Sequence, residues 1–498
     1  MFGNGGIMQI SKIKSTDIKK ICRAAAEFLF TFKGAWAFIF LCWLPVFLAA
    51  WPGVYMGDNI FQMRWYLEGE ISAHHPILYT YLLGAALEMG KELFGTWEAG
   101  MSVLSLLQMI FLSAVLAYTV KVLKQSAGMV CCLLSVLFYA LIPYNPLSAL
   151  TTTKDTIFAG MFLLVLIRTY QIVCDPAGFF RSWKKIGMYV LLVFLMCAFR
   201  NTGIYIFIFS LPALLIVCRA YWKKALVMGM CVVLVWGIFT GPVYGLLDVK
   251  KGSSAEMLSA PIQQLARTML AAPEEFTEEQ WELAETYMPT YELYAPRVSD
   301  FVKDSFNSGL FDEDPIAFFK LWIQMGIKCP VVYIEAFFDT NIGFWNPFMQ
   351  YPDPGTFLDY ITYNCAGPEM AGSSWEGQVF IQRHSLLPGL SGFYEKMTET
   401  GGYNRIPGMR FVYSIAVAFW LIVAGVIVCV RRKAWNMSAP FLLLIGLWGT
   451  LMLSPVVVFR YGYPLIISLP LVWIMCGTNR SAAESEHSDQ TAAAELQK

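Results

Sequence analysis

Charge is what this chain lacks. Only 14% of its 498 residues are Asp, Glu, Lys or Arg, against 57% hydrophobic, and its 36 basic and 36 acidic side chains cancel. A soluble protein of this size could not cover so much apolar surface with so few charges, whereas a chain dissolved in hydrocarbon does not need to. The zero balance also excludes the basic footprint of a nucleic-acid binder. Histidine is scarce, with four in all. The twelve cysteines make no CxxC spacing and no Cys/His cluster, so they offer no zinc site. Cys131, Cys132, Cys197 and Cys231 fall inside apolar runs and read as small buried side chains. Cys329 and Cys365 lie in a polar region, where they either pair or stay free thiols. No internal repeat is visible. No small-residue cleavage site clearly follows the first apolar run, which is therefore expected to be a retained span.

Long apolar runs are what the chain has. Taking about 20 apolar residues per crossing, about ten spans are expected near 35–51, 99–120, 128–146, 155–174, 186–199, 202–218, 225–247, 408–430, 438–453 and 456–476. The stretch 77–89 is apolar but short, as an interfacial or re-entrant helix would be. Basic clusters at Lys121/Lys124, Arg181/Lys184/Lys185, Arg219/Lys223/Lys224 and Arg431/Arg432/Lys433 share one side with the N-terminal lysines, and the positive-inside rule makes that side the cytoplasm. The expectation is an all-α polytopic membrane protein. It comprises a cytoplasmic segment 1–34, a transmembrane module 35–247 with a first outer loop 52–98, and a small mixed extracytoplasmic domain 248–407. Transmembrane helices 408–476 and a disordered cytoplasmic tail 477–498 complete it. Within the outer domain, Thr277-Glu278-Glu279-Gln280 fits a helix capping box, and YPDPGTF and CAGPEMAGSS read as loop.

Ionisable residues at the edges of apolar runs are the candidates for chemistry. Asp58, in a Gly-Asp-Asn turn just past the first span, can withdraw a hydroxyl proton or hold a metal; ordinary turn chemistry is the competing explanation. His74 and His75 before Pro76 can donate to phosphate, bind metal or shuttle protons, and they also suit a helix start with proline at its first position. Thr151-Thr152-Thr153-Lys154-Asp155-Thr156 opens the fourth span. Lys154 can hold a phosphate at the bilayer surface, or pair with Asp155 at a helix cap. Arg200-Asn201, between two short runs, is a costly placement unless the guanidinium faces a polar cavity, and a tight outer turn would also explain it. Arg460, at the outer end of the last span, poses the same choice. On a helix begun at Pro261, the side chains of Gln263, Gln264 and Arg267 share one face, a natural phosphate fork or else a solvated surface.

The order of these stretches carries a resemblance. WPGVYMGDNIFQ, HHPILYTYLLG, TTTKDTIF, FRNTGIY, SAPIQQLAR and FRYGYP follow one another along a frame of spans. That layout resembles the GT-C class of polytopic membrane glycosyltransferases, and within it the bacterial group related to protein mannosyltransferases and aminoarabinose-lipid A transferases. The resemblance spans nearly the whole chain by layout, but no counterpart is assigned past about residue 300.

It implies transfer of a sugar, with inversion, from a polyprenyl-phosphate donor to an acceptor hydroxyl in the cell envelope, on the outer face of the cytoplasmic membrane. The class carries its essential acid in the first outer loop, which matches Asp58. Asn59 stands where mannosyltransferases often have a second acid, which leaves a divalent cation an open question. Asp58 is then the base. Lys154, Arg200, Arg267 and Arg460, with His74 and His75, form the pool that steadies the departing phosphate. Asp155, Gln263 and Gln264 orient substrate. A transporter or flippase for a lipid-linked saccharide is the alternative, and a non-catalytic envelope protein that binds a partner is a third.

Overall fold

The structure is a computed structural model that describes residues 24, 26–349, 361–363, 365, 378–398 and 401–477. Among these residues every regular element is a helix, and the only β-type pairings are isolated bridges. The elements used below are α1 (Phe32–Ala50), α2 (Gly57–Glu68), α3 (Ile77–Phe94), α4 (Trp97–Leu123), α5 (Met129–Leu141), α6 (Tyr144–Leu150), α7 (Lys154–Cys174), α8 (Trp183–Phe199), α9 (Gly203–Val217) and α10 (Trp222–Ile238). They continue with α11 (Ser259–Ala271), α12 (Glu278–Tyr287), α13 (Pro315–Lys328), α14 (Pro330–Thr340), α15 (Pro388–Thr398), α16 (Ile415–Arg431), α17 (Ser438–Leu451), α18 (Phe459–Ile467) and α19 (Leu469–Gly477).

Among the described residues, five helical segments are long and apolar enough to cross a membrane: α1, α4, α7, the 28-residue run Arg219–Leu246 that contains α10, and Phe459–Gly477. Counting each bent pair as one span raises the number to seven. α4, with 27 residues, rises about 40 Å, more than the hydrocarbon core requires. Side-chain caps mark where such helices begin. Thr31 accepts from the Gly34 amide at 3.1 Å at the start of α1, and Thr96 accepts from the Ala99 amide at 3.3 Å at the start of α4.

Each expected span is helical, yet several are not straight. The third bends by 53° between α5 and α6, where Pro143 supplies no backbone N–H to continue the ladder. The run through α10 contains a five-residue π-turn at Phe239–Val243 with Pro242 inside it. α8 and α9 are distinct helices joined at Arg200–Thr202. The stretch 77–89 is the first two-thirds of α3, which packs on α2 and α4. One core runs through this bundle, with Trp43, Tyr139, Phe158, Phe162 and Tyr463 essentially inaccessible.

The described part of 248–407 differs from the mixed domain expected of it, because it too is helical. It has a second core around Ile262, Leu265, Met269, Tyr287, Phe318 and Met325. The capping box at Thr277 and Gln280 is present, with both hydrogen bonds at 3.2 Å. Cys329 and Cys365 are free thiols. A bent apolar pair, α13 and α14, sits in this region at 107°, and span-like composition there was not anticipated. Two bridges tie the unit to the bundle. Lys250 pairs with Ser72, and Val298 pairs with Val456 beside a Ser299-to-Pro455 hydrogen bond of 2.9 Å. The segment YPDPGTF, all of CAGPEMAGSS but Cys365, and residues 1–23, 25 and 478–498 lie outside the described residues.

Candidate functional site

The turn after α1 sets the position of the acid. Gly53 has φ +139, and a Cβ there would collide with the Ser105 hydroxyl of α4, so the position admits glycine alone. Val54 then pairs in parallel with Thr151, and Thr152 donates its amide to Val54 O at 3.0 Å. Asn59 Nδ2 donates to Thr152 Oγ1 at 2.8 Å, and Gln108 of α4 donates to Thr151 O at 3.0 Å. These bonds hold the N-terminus of α2, with Asp58 in its first turn, against the N-terminus of α7, where Lys154 and Asp155 begin the helix. A carboxylate in a first turn is favoured by the free amides and the helix dipole.

Lys154 Nζ lies 3.0 Å from Asp58 Oδ2, and Arg460 Nη2 lies 3.2 Å from the same oxygen. Arg460 also reaches Asp155 Oδ2 with Nε at 3.3 Å, and Arg200 Nη1 approaches Asp155 Oδ1 at 3.6 Å. The Arg200 guanidinium lies over the rings of Phe158 and Tyr461, at 5.4 and 4.8 Å from their centroids. The three cations come from three different helix ends: the first turn of α7, the C-cap of α8 and the first turn of α18. Three positive and two negative groups leave the cluster one positive charge. Asp155 is 2% exposed, whereas Asp58 keeps 26% of its side chain open. Both Asp155 oxygens, Arg200 Nη1 and Arg460 Nε are buried and meet one another only as these ion pairs, without hydrogen-bond geometry, and Thr153 Oγ1 is buried beside them.

Burial pushes the Asp58 carboxyl up, but the charges of Arg460 and Lys154 outweigh it and hold the group well below the usual carboxylate range. His75 Nδ1 is 3.2 Å from Lys154 Nζ. An ammonium only donates, so that nitrogen is the acceptor and the ring proton sits on Nε2. Burial first, and Lys154 second, hold His75 well below its ordinary value. His74 is lowered by burial, with Glu256 partly opposing.

All of these groups open on one cavity of about 950 Å³. Its far wall carries Glu256, Asp300, Lys303 and Asp304, brought in by the two bridges described above. Lys303 pairs with Glu256 at 2.8 Å and with Asp300 at 2.9 Å. Trp65 and Thr202 also line it without having been singled out in the sequence, and Asn201 and Tyr461 line it beside Arg200 and Arg460. Only Asp300 and Lys303, spaced as i and i+3, gave any prior sign of pairing.

Arg267, Gln263 and Gln264 do not reach this cavity. Arg267 is held by Glu335 at 2.6 Å and Asp339 at 2.5 Å. Gln263 donates to Ala295 O at 2.9 Å, and Gln264 donates to Tyr333 O at 3.1 Å while accepting from Trp322 at 3.0 Å. Their shared face of α11 is a contact with α14 and its neighbours, and it is spent on holding helices together. A divalent cation also finds little to bind. No group of three His, Cys, Asp or Glu among the described residues is arranged as a ligand set, and three cations already surround the two carboxylates.

A family of unknown function (DUF6020) matches residues 67–490 of the chain, a span that includes Lys154, Asp155, Arg200 and Arg460 and begins after Asp58. No curated protein matches the chain, and no solved structure does.

Proposed function

The chain belongs to this family of unknown function, DUF6020, so membership brings no activity with it, and we propose one from the site. In this reading the protein is a GT-C-like membrane glycosyltransferase that moves a sugar from a polyprenyl-phosphate donor to an acceptor hydroxyl. The reaction takes place on the outer face of the cytoplasmic membrane. The observation that carries it is the cavity in which the Asp58 carboxylate is paired with Lys154 and Arg460, with Arg200 held beside them on Asp155.

The sidedness follows from where the charges lie on the same helices. α4 ends near Lys121 and Lys124, α8 starts beside Lys184 and ends at Arg200, and α16 ends at Arg431. Basic clusters therefore sit at the helix ends opposite the cavity, which the positive-inside rule assigns to the cytoplasm. With ten spans, both termini face the cytoplasm and 248–407 faces outward. The described 15- and 17-residue apolar helices α9 and α16 serve as short spans.

The chemistry is a displacement at the anomeric carbon. The acceptor oxygen forms the new bond, the bond from that carbon to the phosphate oxygen breaks, and the electron pair stays on the lipid phosphate. Asp58 takes the acceptor proton. A phosphodiester arrives with one negative charge, matching the single net positive charge of the cluster, and leaves with a second, which Lys154, Arg200 and Arg460 stabilise. Donor binding also frees the base. In the empty site Asp58 is a weak base because two cations share its oxygen. A phosphate that draws Lys154 and Arg460 toward itself leaves burial as the dominant influence, and burial raises basicity. The neutral His75 holds Lys154 from behind.

The test is turnover. Purified protein in detergent, supplied with polyprenyl-phosphate sugars, releases polyprenyl phosphate under this reading, and the Asp58→Asn variant does not. Binding of the donor with no release by the intact protein would sink the transferase and favour a transporter.

A further inference from the structure

α13 and α14 have three distinct faces each. Ile316, Phe319, Ile323 and Ile327 recur at helical spacing along α13 and are exposed by 37–78%, while Phe318, Leu321 and Met325 on the opposite side are buried in the second core. On α14, Val331, Ile334 and Phe338 are exposed by 44–64%, and Tyr333, Ala336 and Thr340 are buried. Charged and polar residues border the apolar stripe: Lys320 and Gln324 on α13, Glu335 and Asp339 on α14. Seven large apolar side chains thus line the open side of a bent pair that a water-soluble domain would keep covered.

The stripe does not end at α14. The Phe338 ring meets Trp345 edge-on at 5.7 Å, and Trp345 O accepts from Trp420 Nε1 of α16 at 2.7 Å. Trp420, Leu421, Ile427 and Val430 of that helix are themselves about half exposed. The open face of the pair is therefore continuous, through two tryptophans, with the outward surface of an apolar helix. Tryptophan favours the level where acyl chains meet headgroups.

We propose that α13 and α14 lie in the bilayer surface as an interfacial hairpin, with the stripe Ile316–Phe338 sunk among the lipid acyl chains. Crossing is ruled out by size and shape. The helices are 14 and 11 residues long, about 21 and 17 Å, and they meet at 107°. Neither spans about 30 Å of hydrocarbon. Their inner sides are also committed to α11 through Gln264 and Arg267. The region 248–407 is then anchored in the membrane at a second place, beside the cavity wall that carries Glu256 and Lys303. The inference rests on the membrane placement in the proposed function and not on its chemistry.

The experiment places a photoreactive benzophenone amino acid at Ile323 or Ile327 of the full chain. Ile427 of α16 serves as the lipid-facing control, and the exposed Glu282 of α12 as the water-facing one. After illumination in native membranes, intact-protein mass reads what was captured. Phospholipid-mass adducts at Ile323, Ile327 and Ile427, with none at Glu282, are the expected result. Adducts at Ile427 alone overturn the hairpin and leave the membrane reading standing, whereas no lipid adduct at Ile427 overturns both. A cross-linked second copy or another protein at Ile323 also overturns the proposal. Unchanged melting of each variant excludes misfolding as the cause.

Discussion

Replacing Asp58 by asparagine separates a base from a phosphate holder. The substitution removes one negative charge from a cluster of three cations and two carboxylates, and leaves an amide oxygen near the position that Lys154 and Arg460 now share at 3.0 and 3.2 Å. At an effective dielectric constant of about 20, each such pair is worth roughly 5 kcal/mol of gross attraction. Breaking a buried pair by removing one partner costs about 3–5 kcal/mol. The 26% exposure of Asp58 and the surviving acceptor reduce this to about 2 kcal/mol, so the variant should remain folded with a lowered melting temperature. Turnover should fall about 100- to 10,000-fold, the range for loss of a positioned general base. Affinity for the product, polyprenyl phosphate, should move the other way. One repelling charge beside the phosphate is gone, and at least about tenfold tighter binding, roughly 1.4 kcal/mol, is expected. Melting, product release and isothermal titration with polyprenyl phosphate check the three parts. Turnover within tenfold of wild type refutes the base. Lost turnover together with weaker product binding refutes it as well, because Asp58 would then be holding the donor.

Arg267→Gln should lower the melting temperature, by about 1–2 kcal/mol in stability given that Glu335 and Asp339 are 52% and 41% exposed; specific activity of the folded fraction should stay within a few-fold of wild type, as product release will show. Both His74 and His75 titrate below their ordinary value in the fold, so the unfolded chain binds more protons below about pH 6.5; stability is complete above that pH and declines as it falls toward 5. Melting curves across that window should slope less in a His74→Gln/His75→Gln variant, and an unchanged slope refutes the assignment. Gly53→Ala combines a backbone conformation foreign to alanine with a clash against Ser105, a strain of about 1–3 kcal/mol. It should depress melting and turnover together because the Val54–Thr151 bridge aligns Asp58 with Lys154; wild-type values for both would refute that role for the turn.

Much of the cation cluster was legible because membranes make ionisable residues conspicuous. Asp58, Lys154, Arg200 and Arg460 each stand at the edge of an apolar run, where a charge needs a polar neighbour. Their distances from one another were not legible. The pairing of Asp58 with Lys154 depends on the turn at Gly53 and the bond from Asn59 to Thr152, 93 residues apart. Arg267 shows the limit of helical spacing as a guide. A polar stripe at i, i+3 and i+4 looks the same whether it faces a substrate or another helix, and α14 was not separable from a loop-rich domain by composition. Glu256, Asp300, Lys303 and Asp304 are ordinary in sequence and become cavity wall only when Lys250 pairs with Ser72 and Val298 with Val456. The bend between α5 and α6 was marked in advance by Pro143, but an apolar count alone reads through it.

The two carboxylates of the site do different work because their surroundings differ. Asp155 is almost wholly enclosed and is approached by guanidinium groups from α8 and α18, which suits a fixed anchor that keeps two arginines from drifting apart. Asp58 faces the cavity and shares its cations, so its charge is the one a ligand can alter. Removing Asp155 would set Arg200 and Arg460 against each other with no acid between them, whereas removing Asp58 leaves that arrangement intact. Under the proposed transferase, one fixed and one responsive acid among three cations would let the cluster receive a singly charged phosphodiester, free its proton acceptor on binding, and then hold a doubly charged leaving group.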